Sequence, residues 1–142
     1  MKTFLVLIVL LTGYPLATAA QEASGNKVLT AAGGDMIANS VKAYNEKDIE
    51  AYLACFSPDV EVYNAAGVLM CQGKDKLRES FDALFRNQPN TRRKILERIS
   101  SGNRIVEREL VAGIKGTPEA SVTSVYELEN GLIRTFYFVA EF

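Results

Sequence analysis

The sequence contains no histidine and no tryptophan, and it has two cysteines among 142 residues. Without histidine the chain cannot carry a Ser-His-Asp triad, a Cys-His pair, a histidine zinc site or a histidine general base. Its 16 basic and 17 acidic residues give a net charge of −1, whereas nucleic-acid binders usually have a basic surplus. We therefore predict no nucleic-acid partner. The remaining chemistry is that of carboxylates, Tyr, Lys, Arg, Ser or Cys, or binding without chemistry.

Long hydrophobic runs are scarce as well. The run at the amino terminus, over residues 4–11, is far shorter than the ~20 apolar residues that span a bilayer. Lys2 precedes it, and the small residues at 17–20 follow at the spacing of a cleavage site. We predict a signal peptide over residues 1–20, a secreted or periplasmic protein and no membrane partner, with a membrane anchor as the alternative.

Cys55 and Cys71 would then meet an oxidising compartment, where a disulfide is permitted but not required. The alternative is that Cys55, beside an aromatic residue in an apolar helix, is a small buried hydrophobe. No nucleotide-binding fingerprint is present, and a transition-metal site without imidazole would need an unusual shell of oxygens or thiolates. We predict no cofactor and no metal.

Three helices are predicted from apolar residues at helical spacing. Residues 21–34 are small and polar, which indicates a flexible lead-in to a domain over 35–142. The first helix follows Asp35, the second runs from Asp48 until Ser57-Pro58 ends it, and the third covers about 74–86.

Strands are predicted from alternating residues around and after these helices. One covers residues 60–64, and a turn at Gly67 leads to a short strand that ends near Gly73. Four more follow at about 91–99, 104–114, 120–128 and 132–142, and the Asn130-Gly131 pair is a strong hairpin signal. We expect an α+β fold in which the helices cover one face of the sheet and leave a cone-shaped interior.

Three phrases, "VKAYNEKDIEAYLACFSPDVEVYNAAG", "CQGKDKLRESF" and "YELENGLIRTFYF", extend this pattern to a family. Together with the order of elements they resemble the SnoaL-like branch of the nuclear transport factor 2-like superfamily, which includes polyketide cyclases, steroid isomerases and limonene epoxide hydrolase. The resemblance covers about residues 35–142. It implies a cystatin-like/NTF2-like cone with three helices on a strongly curved, mainly antiparallel sheet, a site inside the cone, and a homodimer formed through the sheet.

The resemblance does not carry the catalytic residues with it. The place of the steroid isomerase base matches Asn64, and its helical Tyr matches Ser40. The Arg-x-Asp of limonene epoxide hydrolase matches residues 108–110, where Glu109 stands between Arg and Leu, and its second Asp matches Phe138. Both water-activating carboxylates are absent on this alignment. A slip of one residue would bring Glu109 into the site, and it would turn every side chain of that strand to the other face.

Alternate residues divide the last three strands into two faces. We predict that the face richer in bulky apolar groups lies under the helices, and that Glu107, Glu109 and Glu127 point away from the cone. The predicted inner face holds Val106, Arg108, Leu110, Ala112, Val122, Ser124, Tyr126, Leu128, Leu132, Arg134, Phe136 and Phe138. A basic stretch at Arg92, Arg93, Lys94 and Arg98 is predicted to be a solvated strand face.

Arg108 would then lie on an apolar face, where an arginine needs a partner or water. We predict that it opens onto a pocket and, with Asn64 and Tyr126, fixes a small apolar or carboxylate-bearing molecule. The ligand-binding set is Asn64, Arg108, Tyr126, Ser124 and Phe138. In the alternative, Arg108 reaches the rim or bridges an acid such as Glu61.

The predicted function is ligand binding in the cone without acid/base turnover. One alternative is an isomerase, cyclase or hydrolase that uses Glu109 or Glu61 as its base. The other is a dimeric protein-interaction module in which the sheet face is the binding surface.

Overall fold

Three helices lie against one face of a six-stranded sheet. The computed structural model describes residues 33–141, so the predicted signal peptide at 1–20 and nearly all of the predicted lead-in at 21–34 lie outside the described residues. The first residues described, 33 and 34, already belong to a helix. The elements are α1 (33–46), α2 (Ile49–Ala54), β1 (Phe56–Asn64), β2 (Leu69–Gln72), α3 (Lys74–Asn87), β3 (Arg92–Ser101), β4 (Arg104–Ala112), β5 (Ala120–Glu129) and β6 (Leu132–Glu141).

The predicted order of helices and strands is confirmed. The boundaries differ at the start of α1, which precedes Asp35, and where α2 gives way to β1. Helix α2 begins after Asp48, whose side chain accepts a hydrogen bond from the Ala51 amide at 3.0 Å. It ends before Ser57-Pro58, which lies within β1 and not at a helix end. Strand pairing takes over at Phe56, which is opposite Ile133 of β6. Pro58 falls where the β1–β6 register is interrupted, a position at which a missing amide hydrogen is tolerated.

The sheet order is β2-β1-β6-β5-β4-β3, with a single parallel pairing, β1 with β6. The predicted mainly antiparallel sheet is therefore confirmed. Strands β5 and β6 form the predicted hairpin at Asn130-Gly131, where φ is 51° and 76°. Both values lie in the left-handed region that this two-residue turn requires.

Register shifts curve the sheet at several points. One lies in β3 between Ile95 and Glu97, and another in β6 between Ile133 and Thr135. An extra residue in one strand bends it and increases its local twist. The sheet thus wraps around the helices, and we call the face that meets them the inner face.

The core is an aromatic cluster between the helices and the inner face. The centroid of the Tyr52 ring lies 4.9 Å from that of Phe56 and 4.6 Å from that of Phe81. Tyr44 and Phe85 complete the cluster at 5.3 Å from each other. Offset and edge-to-face pairs of this kind add to the stabilisation from burial, so these rings are held in fixed orientations.

Both cysteines are free. Cys55 is buried in the core, and its thiol lies 3.5 Å from the Ala51 carbonyl oxygen, while Cys71 is half-buried on β2. Burial raises the pKa of the Cys55 thiol. Cys55 thus serves as a small buried hydrophobe and not as a disulfide partner. No helix within residues 33–141 is long and apolar enough to cross a membrane.

Candidate functional site

Strand β4 presents the opposite face to the one that we predicted. Ile105, Glu107 and Glu109 are at most 1% exposed and lie on the inner face with Val111. The register with β5 sets this phase, because Ile105 is opposite the buried Tyr126 and Glu109 is opposite Val122. The inner face predicted for β5 is correct. On β6 it is correct for Phe136 and Phe138, but the fully buried Ile133 takes the inner position in place of Leu132 and Arg134.

Arg108 accordingly lies on the outer face. Its side chain is 48% exposed and donates to Glu97 at 2.7 Å. The prediction that Arg108 faces the cavity is wrong, and the acid that it pairs with is Glu97 and not Glu61. An exposed pair of this kind contributes about 0–1 kcal/mol.

The β3 register shift turns two arginines of the basic stretch inward. Arg93 is opposite Val111 before the shift, and Arg98 is opposite Glu107 after it. Because the shift adds one residue, both an odd-numbered and an even-numbered position reach the inner face. The prediction of a solvated face is wrong for Arg93, which is 8% exposed. Arg98 is exposed as predicted, although its guanidinium pairs with the buried Glu107.

Arg93, Glu109 and Tyr126 form a buried cluster in which each residue contacts the other two. The Arg93 guanidinium donates from Nε to Glu109 Oε2 at 2.7 Å and from Nη2 to Oε1 at 2.8 Å. Tyr126 donates to Oε1 at 2.9 Å and accepts from Arg93 Nη2 at 2.5 Å. This bidentate arrangement is the strong form of an ion pair, and it fixes all three side chains.

The cluster holds Glu109 as a carboxylate. Burial alone would raise the pKa of Glu109, but the Arg93 charge and the hydrogen bonds from Arg93, Tyr126 and Ser124 outweigh it and lower the pKa. Burial likewise opposes the charge on Arg93, and the neighbouring Tyr126 and Glu109 outweigh that effect and raise the pKa of Arg93. Burial raises the pKa of Tyr126, so its hydroxyl stays protonated and donates.

A cavity of about 280 Å³ lies beside this cluster, between the helices and the inner face. Most of its wall is apolar, with Phe81 and Leu84 from α3 facing Val122 and Phe138 from the sheet. Arg93 and Glu109 supply the charged part of the wall. The exposed β4–β5 connection contributes residues 114, 117 and 118 and forms the rim.

The predicted ligand-binding residues divide into two groups. Ser124 and Phe138 line the cavity, and Tyr126 lies behind its wall, where it is 1% exposed and bonded to Glu109. Asn64 is not part of the lining, and its Oδ1 accepts from the Ala66 and Val68 amides at 3.0 Å each. The structure thus brings three of the five residues together, and their role in ligand binding stays a prediction.

Glu61, the other acid considered as a base, also lies outside the cavity lining. It is half-buried, accepts from the Tyr63 hydroxyl at 2.8 Å and lies 3.7 Å from Arg134. Glu109 is the carboxylate that lines the cavity among the residues that the structure describes.

A second buried acid lies next to the cluster. Glu107 is fully buried and accepts from Arg98 Nε at 2.5 Å, while its Oε2 has no hydrogen-bond partner. The Arg98 guanidinium lies against α1, where a Cβ on Gly34 would come within 2.7 Å of Nη1. Burial raises the pKa of Glu107, and Arg98 compensates only in part.

Two tyrosines of the helices face the same cavity. The Tyr44 hydroxyl shares a 2.9 Å hydrogen bond with Thr91 Oγ1, and the Arg93 guanidinium lies 5.2 Å from the centre of its ring. Tyr52 is fully buried, and its hydroxyl has no hydrogen-bond partner. Within the described part of the chain, no three Cys, Asp or Glu side chains gather where they could hold a metal ion.

Sequence reasoning named Glu109 as an alternative base but placed it outside the cone, and it missed Arg93 and Tyr52 as site residues. The opposite charges of Arg93 and Glu109 on neighbouring strands were the signal available for predicting that these two residues pair. Nothing in the sequence marks the Tyr52 hydroxyl as unpaired, because helical spacing places the ring in the core whether or not the hydroxyl is satisfied.

A family model described as SnoaL-like domain matches residues 37–136. A search of curated proteins finds no significant match. Among solved structures, an uncharacterised cystatin-fold protein from Novosphingobium aromaticivorans is similar, with 23% identity and a TM-score of 0.69 over 75% of this chain and 97% of that one.

Two further structures share the fold. A proposed polyketide cyclase from Sinorhizobium meliloti has 20% identity and a TM-score of 0.66 over 74% of this chain and 94% of its own. A ketosteroid isomerase-like protein from Catenulispora acidiphila, solved with trimethylamine, has 16% identity and a TM-score of 0.63 over 73% and 83%. These likenesses establish a cystatin-like/NTF2-like fold.

Proposed function

Since the chain belongs to the SnoaL-like domain family, we propose that it binds a small, mostly apolar molecule in the cavity beside the Arg93–Glu109–Tyr126 cluster. The observation that carries this proposal is the cavity itself. About 280 Å³ of space remains between aromatic and aliphatic side chains, with one neutralised ion pair on its wall. Apolar pockets with a few fixed polar groups are typical small-molecule sites.

The state of Glu109 favours binding over acid/base turnover. Both of its oxygens already accept hydrogen bonds, and its pKa is lowered. A general base works best when its pKa lies near the working pH. A carboxylate held ionised by a bidentate arginine is a weak proton acceptor, so the cluster is better suited to shaping and polarising the wall.

The placement of Glu109 in the cavity also supports a catalytic alternative. An isomerase, cyclase or hydrolase would use Glu109 as its base, with Ser124 on the same cavity wall to position a substrate oxygen. Native mass spectrometry of protein from its own source would identify a co-purifying molecule. If that molecule is returned to fresh protein, recovery of the same compound by NMR supports binding, and a new compound, including an isomer of equal mass, supports the enzyme.

Filling the cavity should abolish binding of a neutral fluorescent probe. We expect N-phenyl-1-naphthylamine to gain fluorescence saturably with the wild-type protein, because its rings transfer from water to an apolar cavity. Ala120 lies on the cavity wall. The Ala120→Phe variant should therefore weaken binding at least tenfold in a fluorescence titration.

Ala112→Phe is the matched control, because Ala112 lies on the outer face at the end of β4. This variant should bind the probe as the wild type does. Equal affinity of Ala120→Phe and wild type would mean that the probe binds elsewhere, and the cavity proposal would fail.

We also propose a homodimer formed through the outer face of the sheet. The register places an apolar row of cross-strand neighbours on this face: Ile99, Val106, Val125, Tyr137 and Tyr63. The Tyr63 and Tyr137 rings stack at 5.0 Å, and Ile99 is 71% exposed. The charged pairs Arg104–Glu127 and Arg108–Glu97 flank the row, which suits a two-fold contact between identical surfaces.

A charge in this row should separate the dimer. The substitution Ile99→Lys alters a side chain that is largely exposed in one chain, so the fold should survive and the partner contact should not. We expect light scattering to give twice the mass of one chain for the wild type and a single-chain mass for the variant. Ser80→Lys on the exposed face of α3 should remain dimeric, whereas a monomeric wild type would refute the proposal.

A further inference from the structure

The Tyr52 hydroxyl is a polar group that the fold buries and leaves unpaired. The side chain is 0% exposed, the residue lines the cavity, and no atom of the described residues accepts or donates a hydrogen bond at the hydroxyl. Buried hydroxyls are nearly always bonded, and an unpaired one is a recurrent sign of a missing partner.

The hydroxyl cannot turn away to find a partner. Its ring packs against Phe56 at 4.9 Å, Phe81 at 4.6 Å and Tyr44 at 6.1 Å. The Tyr44 hydroxyl is already engaged with Thr91. A water molecule in this corner would need two to four polar partners of its own, and the neighbouring rings offer none.

The charge balance of the cavity limits what the partner is. Arg93 and Glu109 neutralise each other at 2.7 Å, so the wall carries no net charge. A carboxylate placed there would bring an unpaired charge into an apolar space, which is costly. A neutral oxygen meets no such penalty. Burial raises the pKa of Tyr52, so its hydroxyl remains a donor.

We infer that the ligand is a neutral, mostly apolar molecule with an accepting oxygen, such as a ketone or an ether, and that Tyr52 donates its hydrogen bond to that oxygen. This inference rests on the proposed function and adds the ligand's chemical class and its orienting residue. The residue that orients the ligand is thus the neutral donor Tyr52, and not the cation Arg108 that the sequence suggested.

The test compares two probes of the same shape. Dissociation constants of α-tetralone and tetralin are measured by displacement of N-phenyl-1-naphthylamine from wild type and from Tyr52→Phe. The tetralin-to-tetralone ratio of dissociation constants should fall about tenfold in Tyr52→Phe, because the variant loses one hydrogen bond worth that factor. Comparing ratios cancels the difference in hydration of the two probes.

Tyr44→Phe is the matched control, since Tyr44 also lines the cavity but its hydroxyl is satisfied within the protein. It should keep the wild-type ratio. Tyr52→Phe should melt no lower than the wild type, which shows that its fold is intact. A ratio unchanged in Tyr52→Phe, or tighter binding of 1,2,3,4-tetrahydro-1-naphthoate than of the ketone, overturns the inference. Failure of all probes to bind the wild type overturns the proposed function itself.

Discussion

Replacing Arg93 by methionine should lower the free energy of unfolding by about 3–5 kcal/mol, because the change leaves the Glu109 carboxylate buried without its cation. Glu109 is 1% exposed and accepts two hydrogen bonds from Arg93. A loss of this size is a large part of the ~5–15 kcal/mol that stabilises a typical domain. Denaturant unfolding measures it directly.

Arg108→Met is the control, because this arginine lies on the outer face in an exposed pair. It should change the free energy of unfolding by less than about 1 kcal/mol. The double variant Arg93→Met Glu109→Leu should be more stable than Arg93→Met alone, because it removes the stranded charge. Equal losses of unfolding free energy in Arg93→Met and Arg108→Met would show that the buried pair stabilises the fold no more than the exposed pair does.

The sequence predicted the elements because their signals are local. Helix α3 was expected over 74–86 and spans Lys74–Asn87, and the Asn130-Gly131 pair formed the expected hairpin. The junction of α2 and β1 was misplaced, because the pairing of Phe56 with β6 is a long-range contact that overrides a local stop signal.

The inner face of β4 was misjudged because both of its faces carry apolar residues. Val106 and Leu110 compete with Ile105 and Val111, so the apolar bulk on which the prediction was based does not distinguish the two faces of this strand. Glutamates are rarely buried unless they are paired, which favoured placing Glu109 in water. Its partner comes from β3, whose phase depends on a register shift that the sequence does not reveal.

The candidate site was therefore half predictable. On β5 and β6 one face is clearly the more apolar, so Ser124, Tyr126 and Phe138 were correctly assigned to the inner face. The placement of Arg93 and Glu109 depends on how β3 and β4 align, and the unpaired hydroxyl of Tyr52 depends on the packing of three helices.

Two glutamates on β4 should respond to the same substitution with losses of very different size. Glu107 and Glu109 are both at most 1% exposed and lie two residues apart on the inner face. Glu109→Gln should lower the free energy of unfolding by about 3 kcal/mol at pH 7, because Arg93 loses its countercharge. Glu107→Gln should change it by less than about 1 kcal/mol, because an oxygen without a partner is replaced by an equally unpaired amide.

The dependence on pH should separate the two residues further. The pKa of Glu109 is lower in the folded protein than in the unfolded chain, so its contribution is complete above the unfolded value and is lost as pH falls through the folded value. The deficit of Glu109→Gln relative to wild type should therefore shrink in acid.

Glu107 has the opposite sign, because burial raises its folded pKa and penalises its charged form. As pH rises through that raised value the wild type bears the penalty and Glu107→Gln does not, so the variant should gain stability relative to wild type. Urea unfolding of the three proteins between pH 3 and pH 8 measures both trends. Parallel curves for the two variants would mean that the buried carboxylates are equivalent, and the assignment of Glu109 as the ionised partner of Arg93 would fail.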